Sequence, residues 1–255
     1  MLSYALNMRF LPVLAFFFFL LLFMRLAQAS FSVSSFVSQF SVFKPGEANP
    51  FLSYYYVKKA FDKLLSVLLI ILLSPVFLVV YILILYKLGR PVLFFQVRAG
   101  IHGAPFALCK FRTMSALVDA YGLPLPDHAR LTRFGSWLRS TSLDELPSIF
   151  NILLGDMSFI GPRPLLIQYL ELYSSDQARR HDVMPGLTGW AQINGRNSIS
   201  WEEKFRLDVW YVDHQCFLLD ARIFLLTVWK VFCREGISAA GEATVAPFTG
   251  TVRRE

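Results

Sequence analysis

Two adjacent carboxylates, Asp144 and Glu145, open a short apolar segment that runs to Leu154 and stops at Gly155. Proline at 147 is comfortable only in the first turn of a helix, so the spacing predicts an N-cap at or just after Asp144. Both acids then lie at the positive end of the helix dipole. Ser142-Leu143-Asp144-Glu145 also matches a capping box, in which case Pro147 falls beyond the first turn. Capping alone would account for Asp144; a chemical role requires cations nearby, and several stand within reach in the sequence. Arg139 precedes the pair. Alternation along Phe106 to Arg112 puts Phe106, Leu108, Lys110 and Arg112 on one strand face, with two cations side by side at its end. They serve either as protective charges on an edge strand or as ligands for an anion. In Gly161-Pro162-Arg163-Pro164 the prolines restrict the backbone around one arginine, which suits a rigid turn or a guanidinium held ready for a phosphate. The stretch from Pro185 to Arg196 combines glycines, backbone donors and the terminal cation Arg196, as an anion-binding loop does.

Other chemistries fit less well. The histidines at 102, 128, 181 and 214 are never spaced i, i+4, nor do they neighbour a cysteine cluster, so a tetrahedral zinc site is not expected. Any metal should be hard and oxygen-bound. Cys109, Cys216 and Cys233 form no C-x-x-C pair and leave an odd thiol in any pairing, which points to a reducing compartment and a cytoplasmic catalytic part. With 55% hydrophobic residues among 255, the chain suits one catalytic domain plus membrane-embedded segments. A formal net charge of +7 in so apolar a chain favours anionic lipid or a phosphorylated substrate as partner, and no nucleic acid.

The elements that must position these residues begin with two apolar runs. Phe10 to Met24 lies between Arg9 and Arg25 and ends near Ala27-Gln28-Ala29, which reads like a signal-peptidase site. Export would separate reduced cysteines from cytoplasmic substrates, and the run is short for a span, which needs roughly 20 residues. An uncleaved anchor, an interfacial helix and leader sequence from a misassigned start all remain open. The second run, Leu64 to Tyr86, would extend about 35 Å as a straight helix, long enough to span. Yet Ser74-Pro75 interrupts it, and both flanks are basic: Lys58, Lys59 and Lys63 before, Lys87, Arg90 and Arg98 after. Basic charge at both ends keeps both ends on the cytoplasmic side and describes a re-entrant hairpin; a proline-kinked spanning helix fits the same residues. Beyond it, Val92 to Arg98 and Phe106 to Arg112 are predicted as strands joined by a glycine-containing loop, and Asp119 to Arg130 as a surface loop. Cys216 to Phe232 is apolar but carries Asp220, Arg222 and Lys230, too much charge for a span; an interfacial helix and a buried core helix both fit.

In order, these motifs resemble the bacterial sugar transferases known as monotopic phosphoglycosyl transferases, from residue 58 to residue 246. Lys58-Lys59-Ala60-Phe61-Asp62 precedes a hydrophobic segment broken at Ser74-Pro75. Then come Gln96-Val97-Arg98-Ala99-Gly100, Lys110-Phe111-Arg112-Thr113-Met114 and Leu138-Arg139-Ser140-Thr141-Ser142-Leu143-Asp144-Glu145-Leu146-Pro147. Gly155-Asp156-Met157-Ser158-Phe159-Ile160-Gly161-Pro162-Arg163-Pro164, the Pro185 to Arg196 stretch and Asp208-Val209-Trp210-Tyr211-Val212 complete the series. The resemblance implies an α+β, mostly α, monotopic membrane protein in which a re-entrant helix-break-helix hairpin, a small β-hairpin and interfacial amphipathic helices surround a cytoplasmic active site. Its parts would be an N-terminal extension (1–53), the membrane hairpin (54–90), a catalytic domain (91–246) and a C-terminal tail (247–255).

By the same resemblance, Asp144 would attack the sugar-bearing phosphorus of a UDP-sugar, expel UMP and pass the phosphosugar to polyprenyl (undecaprenyl) phosphate. Glu145 would accompany Mg2+, and Arg139, Arg163 and Arg196 would bind phosphate. Lys110 and Arg112 would assist, with Asp208 and Asp220 as supporting acids. A carboxylate forms an acyl phosphate only where cations neutralise the phosphate it approaches, so these side chains should converge on Asp144. Implied partners are the UDP-sugar, the lipid carrier and anionic membrane lipid at the bacterial inner membrane, with a homodimer left open. His214 and Cys216 stand where the family often has asparagine and serine. Arg234 to Thr244 resembles small members acting on N-acetylated, often 4-aminated UDP-sugars, the bacillosamine-phosphate-transferase type. The rival readings are a non-catalytic membrane adaptor, a glycosyltransferase releasing UDP, and an exported periplasmic protein.

Overall fold

The apolar segment before the catalytic motifs forms two helices, α1 (Pro50–Leu72) and α2 (Ser74–Lys87), bent by 63° at their junction. Pro75 supplies no amide hydrogen there, and the Ser74 hydroxyl donates instead to the Ile71 carbonyl at 2.8 Å. Among the described residues no single helix is long and apolar enough to cross a membrane, though the bent pair passes by length and composition. The computed structural model describes residues 50–119, 121–195, 198–233 and 247–250. The apolar run Phe10 to Met24, Arg196 and the Arg234 to Thr244 segment lie outside the described residues. Two units divide the chain, Met1–Ser53 and Tyr54–Glu255, and the site belongs to the second.

Spacing decides which face of each helix in the bent pair is covered. Phe77, Val80 and Ile84 follow helical periodicity and are buried, with Phe77 edge-on to Phe150 and tilted against Phe111. Burying a ring of this size contributes about 1.5–3 kcal/mol. On α1, Leu64, Ile71 and Leu72 are at least two-thirds exposed, an apolar surface with none of the described residues packed over it.

The predicted β-hairpin is present: β1 (Leu93–Ala99) pairs antiparallel with β2 (Pro105–Phe111), with Phe95 opposite Cys109, through a tight turn at Ile101–Gly103. Arg112 lies just past β2, and its role differs from the one expected. Its guanidinium donates to the carbonyls of Leu88, Gly89 and Arg90, where α2 ends. Those carbonyls lack helical partners, and a guanidinium fork satisfies them better than water at a buried junction. Arg112 therefore fastens the end of α2 to the sheet.

Arg133–Ser140 forms α3, capped by the Thr132 hydroxyl, which accepts from the Gly135 amide at 3.0 Å. A Cβ on Gly135 would stand 1.8 Å from the Thr113 carbonyl oxygen, so only glycine lets α3 lie against the exit of β2. The segment beginning at Asp144 is not one helix. Ser142 adopts a left-handed conformation (φ 56°), Leu143–Glu145 make a 3-10 turn, and α4 covers Ser148–Leu154 with Pro147 at its N-cap. Ser142 makes no side-chain cap, so the capping box does not form. Gly155 ends α4 in a left-handed conformation, as its position predicts.

A second sheet was not foreseen. β3 (Ser158–Ile160) pairs in parallel with β4 (Gly186–Thr188), so the glycine-rich stretch is a strand followed by the one-turn helix α5 (Trp190–Ile193) rather than a loop. Its glycines serve contact between backbones: a Cβ on Gly186 would lie 2.1 Å from the Gly161 amide nitrogen, and one on Gly189 2.1 Å from the Gly161 carbonyl oxygen. The helices α6 (Trp201–His214) and α7 (Phe217–Cys233) close the fold. Ile223 of α7 is fully buried beside Leu108, Ile152, Met157, Ile160 and Tyr211, while Leu218, Leu225 and Trp229 are exposed. The segment thus packs one face on the core and leaves the other exposed. The result is mostly helical with small sheets, an α+β arrangement.

Candidate active site

The free edge of β2 is where the site is assembled. Asn151 on α4 accepts from the Cys109 amide at 3.0 Å and donates to the Ala107 carbonyl at 2.8 Å, while Ser148 donates to the Cys109 carbonyl at 2.8 Å. Two side chains thus replace the neighbouring strand that β2 lacks, and they fix the register between α4 and the sheet. This register sets the Asp144–Glu145 turn over Lys110. Glu145 Oε1 accepts from Lys110 Nζ and from Arg163 Nη2, both at 2.6 Å. Arg139, on the last turn of α3, donates from Nε to the Thr113 hydroxyl at 3.0 Å.

The two carboxylates have different surroundings. Burial works against the Glu145 charge, but Arg163 and Lys110 outweigh it and hold the group well below the usual carboxylate range. Burial and the adjacent Glu145 charge push Asp144 up to about 6, against the opposing pull of Lys110, Arg163 and Arg139. Asp144 makes no side-chain hydrogen bond to another described residue, so cations surround it without occupying it. One acid is pinned and ionised while its neighbour is more basic, the separation by which paired carboxylates take distinct roles.

A narrow cleft adjoins Glu145, lined by Lys110, Arg163, Arg98, Met157 and Leu187 among others. Arg98 is a site cation that sequence reasoning passed over. Gln96, two residues away on the same strand face, accepts from its Nη2 at 2.6 Å, and the Pro164 carbonyl accepts from Nη1 at 3.4 Å. Burial and the nearby Arg163 charge lower its pKa to about 10. The i, i+2 spacing of Gln96 and Arg98 was the available clue.

Arg180 was missed too, and its burial explains why no surface pattern marks it. Both Arg180 and Asp208 are almost completely buried; Nη2 of Arg180 donates to Asp208 Oδ2 at 2.7 Å and to the Arg163 carbonyl at 2.8 Å. Asp208 therefore acts on the site through Arg180 and the backbone of Arg163. Asp220 is elsewhere: it accepts from Tyr54 at 2.6 Å, from Tyr211 at 2.7 Å and from Lys58, tying the base of α1 to α6 and α7. Of the expected residues, Asp144, Glu145, Lys110, Arg139 and Arg163 come together, while Arg112, Asp208 and Asp220 hold the frame. Ser74 and Pro75 stand at the bend between α1 and α2.

The donor set bears on a metal. Both recorded bonds to Glu145 fall on Oε1, and among the described residues no three His, Cys, Asp or Glu side chains gather into a ligand group. One carboxylate edge suits a hard ion such as magnesium, which takes its remaining ligands from water and substrate phosphates.

The carboxylate pair thus lies beside the β-hairpin, with Lys110, Arg163 and Arg139 around it. The chain belongs to the bacterial sugar transferase family, whose profile matches residues 53–234. It is 52% identical over 195 residues to the uncharacterized sugar transferase EpsL of Bacillus subtilis, covering 76% of this chain and 96% of that one. It is also 40% identical over 185 residues to a UDP-glucose:undecaprenyl-phosphate glucose-1-phosphate transferase of Klebsiella pneumoniae, covering 69% of this chain and 40% of that one. An undecaprenyl-phosphate galactose phosphotransferase of Salmonella typhimurium is 33% identical over 201 residues, covering 71% of this chain and 41% of that one. The chain thus spans nearly all of EpsL and about two fifths of the longer enzymes.

Proposed function

We propose that this transferase moves a sugar 1-phosphate from a UDP-sugar to undecaprenyl phosphate, through a phosphosugar carried on Asp144, at the cytoplasmic face of the bacterial inner membrane. The observation that carries this reading is the Asp144 carboxylate, hydrogen-bonded through its side chain to none of the described residues, beside the ionised Glu145, with Lys110, Arg163 and Arg139 around them. The relatives named for glucose 1-phosphate and galactose phosphate transfer support the reaction class.

In the first step an Asp144 oxygen forms a bond to the sugar-bearing phosphorus while the diphosphate P–O bond breaks, and UMP leaves with the bonding pair. In the second, a phosphate oxygen of the lipid carrier attacks the same phosphorus and Asp144 departs as carboxylate, which yields the polyprenyl diphosphate sugar. Lys110 and Arg163 meet the diphosphate and disperse the charge that develops on the transferring group, with Arg98 and Arg139 flanking them. Glu145 would hold magnesium, which when bound supplies further neutralisation of the diphosphate. The exposed apolar face of α1 and α2, bent at Ser74–Pro75, supports a re-entrant membrane hairpin, and α7 with exposed Leu218, Leu225 and Trp229 supports an interfacial helix beside it. Both would rest on anionic lipid.

Intact-mass analysis of enzyme given a UDP-sugar without carrier tests the covalent step. A sugar-phosphate adduct on the peptide holding Asp144, absent from Asp144→Asn, is expected. No adduct on the wild-type protein, with UMP released only once carrier is added, would point to direct transfer between the substrates.

A further inference from the structure

The C-terminal segment 247–250 lies beyond the span matched by the family profile, yet it is built into the frame of the site. Phe248 is 4% exposed and enters a box of aromatic rings. Its ring centroid lies 5.0 Å from Phe205, 5.7 Å from Tyr169 and from Trp201, and 5.9 Å from Tyr173. Its backbone amide donates to the Tyr169 hydroxyl at 3.2 Å. Leu165, two residues after Arg163, belongs to the same buried cluster.

Two rings of this box also hold Arg180. Its guanidinium carbon stands 5.5 Å from the Phe205 centroid and 5.9 Å from that of Tyr173, and Nη1 donates to the Tyr173 hydroxyl at 3.4 Å. Arg180 in turn donates to the carbonyl of Arg163, the residue that reaches Glu145. An unbroken run of packed side chains thus leads from the tail, through two aromatic rings and one buried arginine, to the backbone carrying a site cation.

We propose that Phe248 is a positioning residue: the C-terminal tail closes the aromatic box and thereby sets Arg163 for the diphosphate of the nucleotide donor. This rests on the reading of the site as one that binds a UDP-sugar. With the box open, Tyr173 and Phe205 gain freedom, the two walls of Arg180 loosen, and the Arg163 backbone relaxes.

Calorimetric titration of the full detergent-solubilised chain with UDP and magnesium tests this. Phe248→Ala should weaken UDP binding about tenfold, since small misplacement of a positioning group is costly at a phosphate site. In an Arg163→Ala background the same change should add nothing, because the residue it positions is gone. Tyr169→Phe keeps every ring and removes only the hydroxyl that receives the Phe248 amide; a smaller loss, about threefold, is expected. That variant decides the matter if Phe248→Ala fails to fold. Unchanged affinity in Tyr169→Phe and Phe248→Ala would overturn the proposal, as would penalties from Phe248→Ala and Arg163→Ala that multiply. Wild-type protein that binds no UDP would remove the functional reading itself; protein that binds UDP but is indifferent to the tail would remove only this inference.

Discussion

At the scale of single residues, Asp144 and Glu145 differ because their neighbours do. Burial and Glu145 push Asp144 up to about 6, so in the free enzyme its proton is retained below that pH and the carboxylate cannot attack. Activity measured as kcat/KM should therefore fall along an acid limb centred near pH 6 and be flat just above it. The same displacement is a stability statement with a definite sign. A carboxyl whose folded pKa exceeds its unfolded one costs nothing below pH 4, where both states are protonated, and costs most above 6, where both are ionised. Asp144→Asn should then abolish turnover and also stabilise the fold by about 1–3 kcal/mol at pH 7.5, a gain that vanishes by pH 4 in denaturant titrations. A destabilised Asp144→Asn protein would contradict this account of the environment. Arg98→Ala tests the cation that sequence reasoning passed over; donor kcat/KM should drop by about ten- to a hundredfold, as for loss of a charged hydrogen bond.

At the scale of elements, the site depends on how α4 is stitched to β2. Asn151→Ala would strand the Cys109 amide and the Ala107 carbonyl at once, both previously satisfied by that side chain. A loss of about 2–4 kcal/mol is expected in chemical denaturation, more than for an exposed asparagine, with activity falling faster than folded fraction because the Asp144 turn shifts. The β-hairpin was legible because alternation and a glycine turn are local signals, and Gly155 marked the end of α4 for the same reason. The parallel pairing of β3 with β4 was not, since each strand has three residues and no period to read. Arg112 misled because strand alternation gives a face and says nothing of the helix end waiting beside it. Arg180 and Asp208 were opaque for another reason: sequence shows two charged residues 28 positions apart, and only packing reveals that they neutralise each other in the interior. The convergence of Arg139, Arg163 and Lys110 on the acid pair was anticipated from chemistry, as the requirement that an attacked phosphate be neutralised.

For the whole molecule, the bend between α1 and α2 separates two uses of one apolar segment. One face of α2 is spent on the core through Phe77, Val80 and Ile84, so only the remaining surface is available to lipid. Cysteines introduced near Lys58 and Lys87 should accordingly be labelled from the same side of the membrane, and opposite-side labelling would defeat the re-entrant hairpin. The ties of Asp220 to Lys58, Tyr54 and Tyr211 hold the start of α1 against α6 and α7. The central claim, transfer of a phosphosugar through Asp144, is tested most directly by nucleotide release from a panel of UDP-sugars with magnesium and undecaprenyl phosphate. Carrier-dependent UMP, absent in Asp144→Asn, is the predicted result; UDP as the product, or UMP release that survives in that variant, would contradict it.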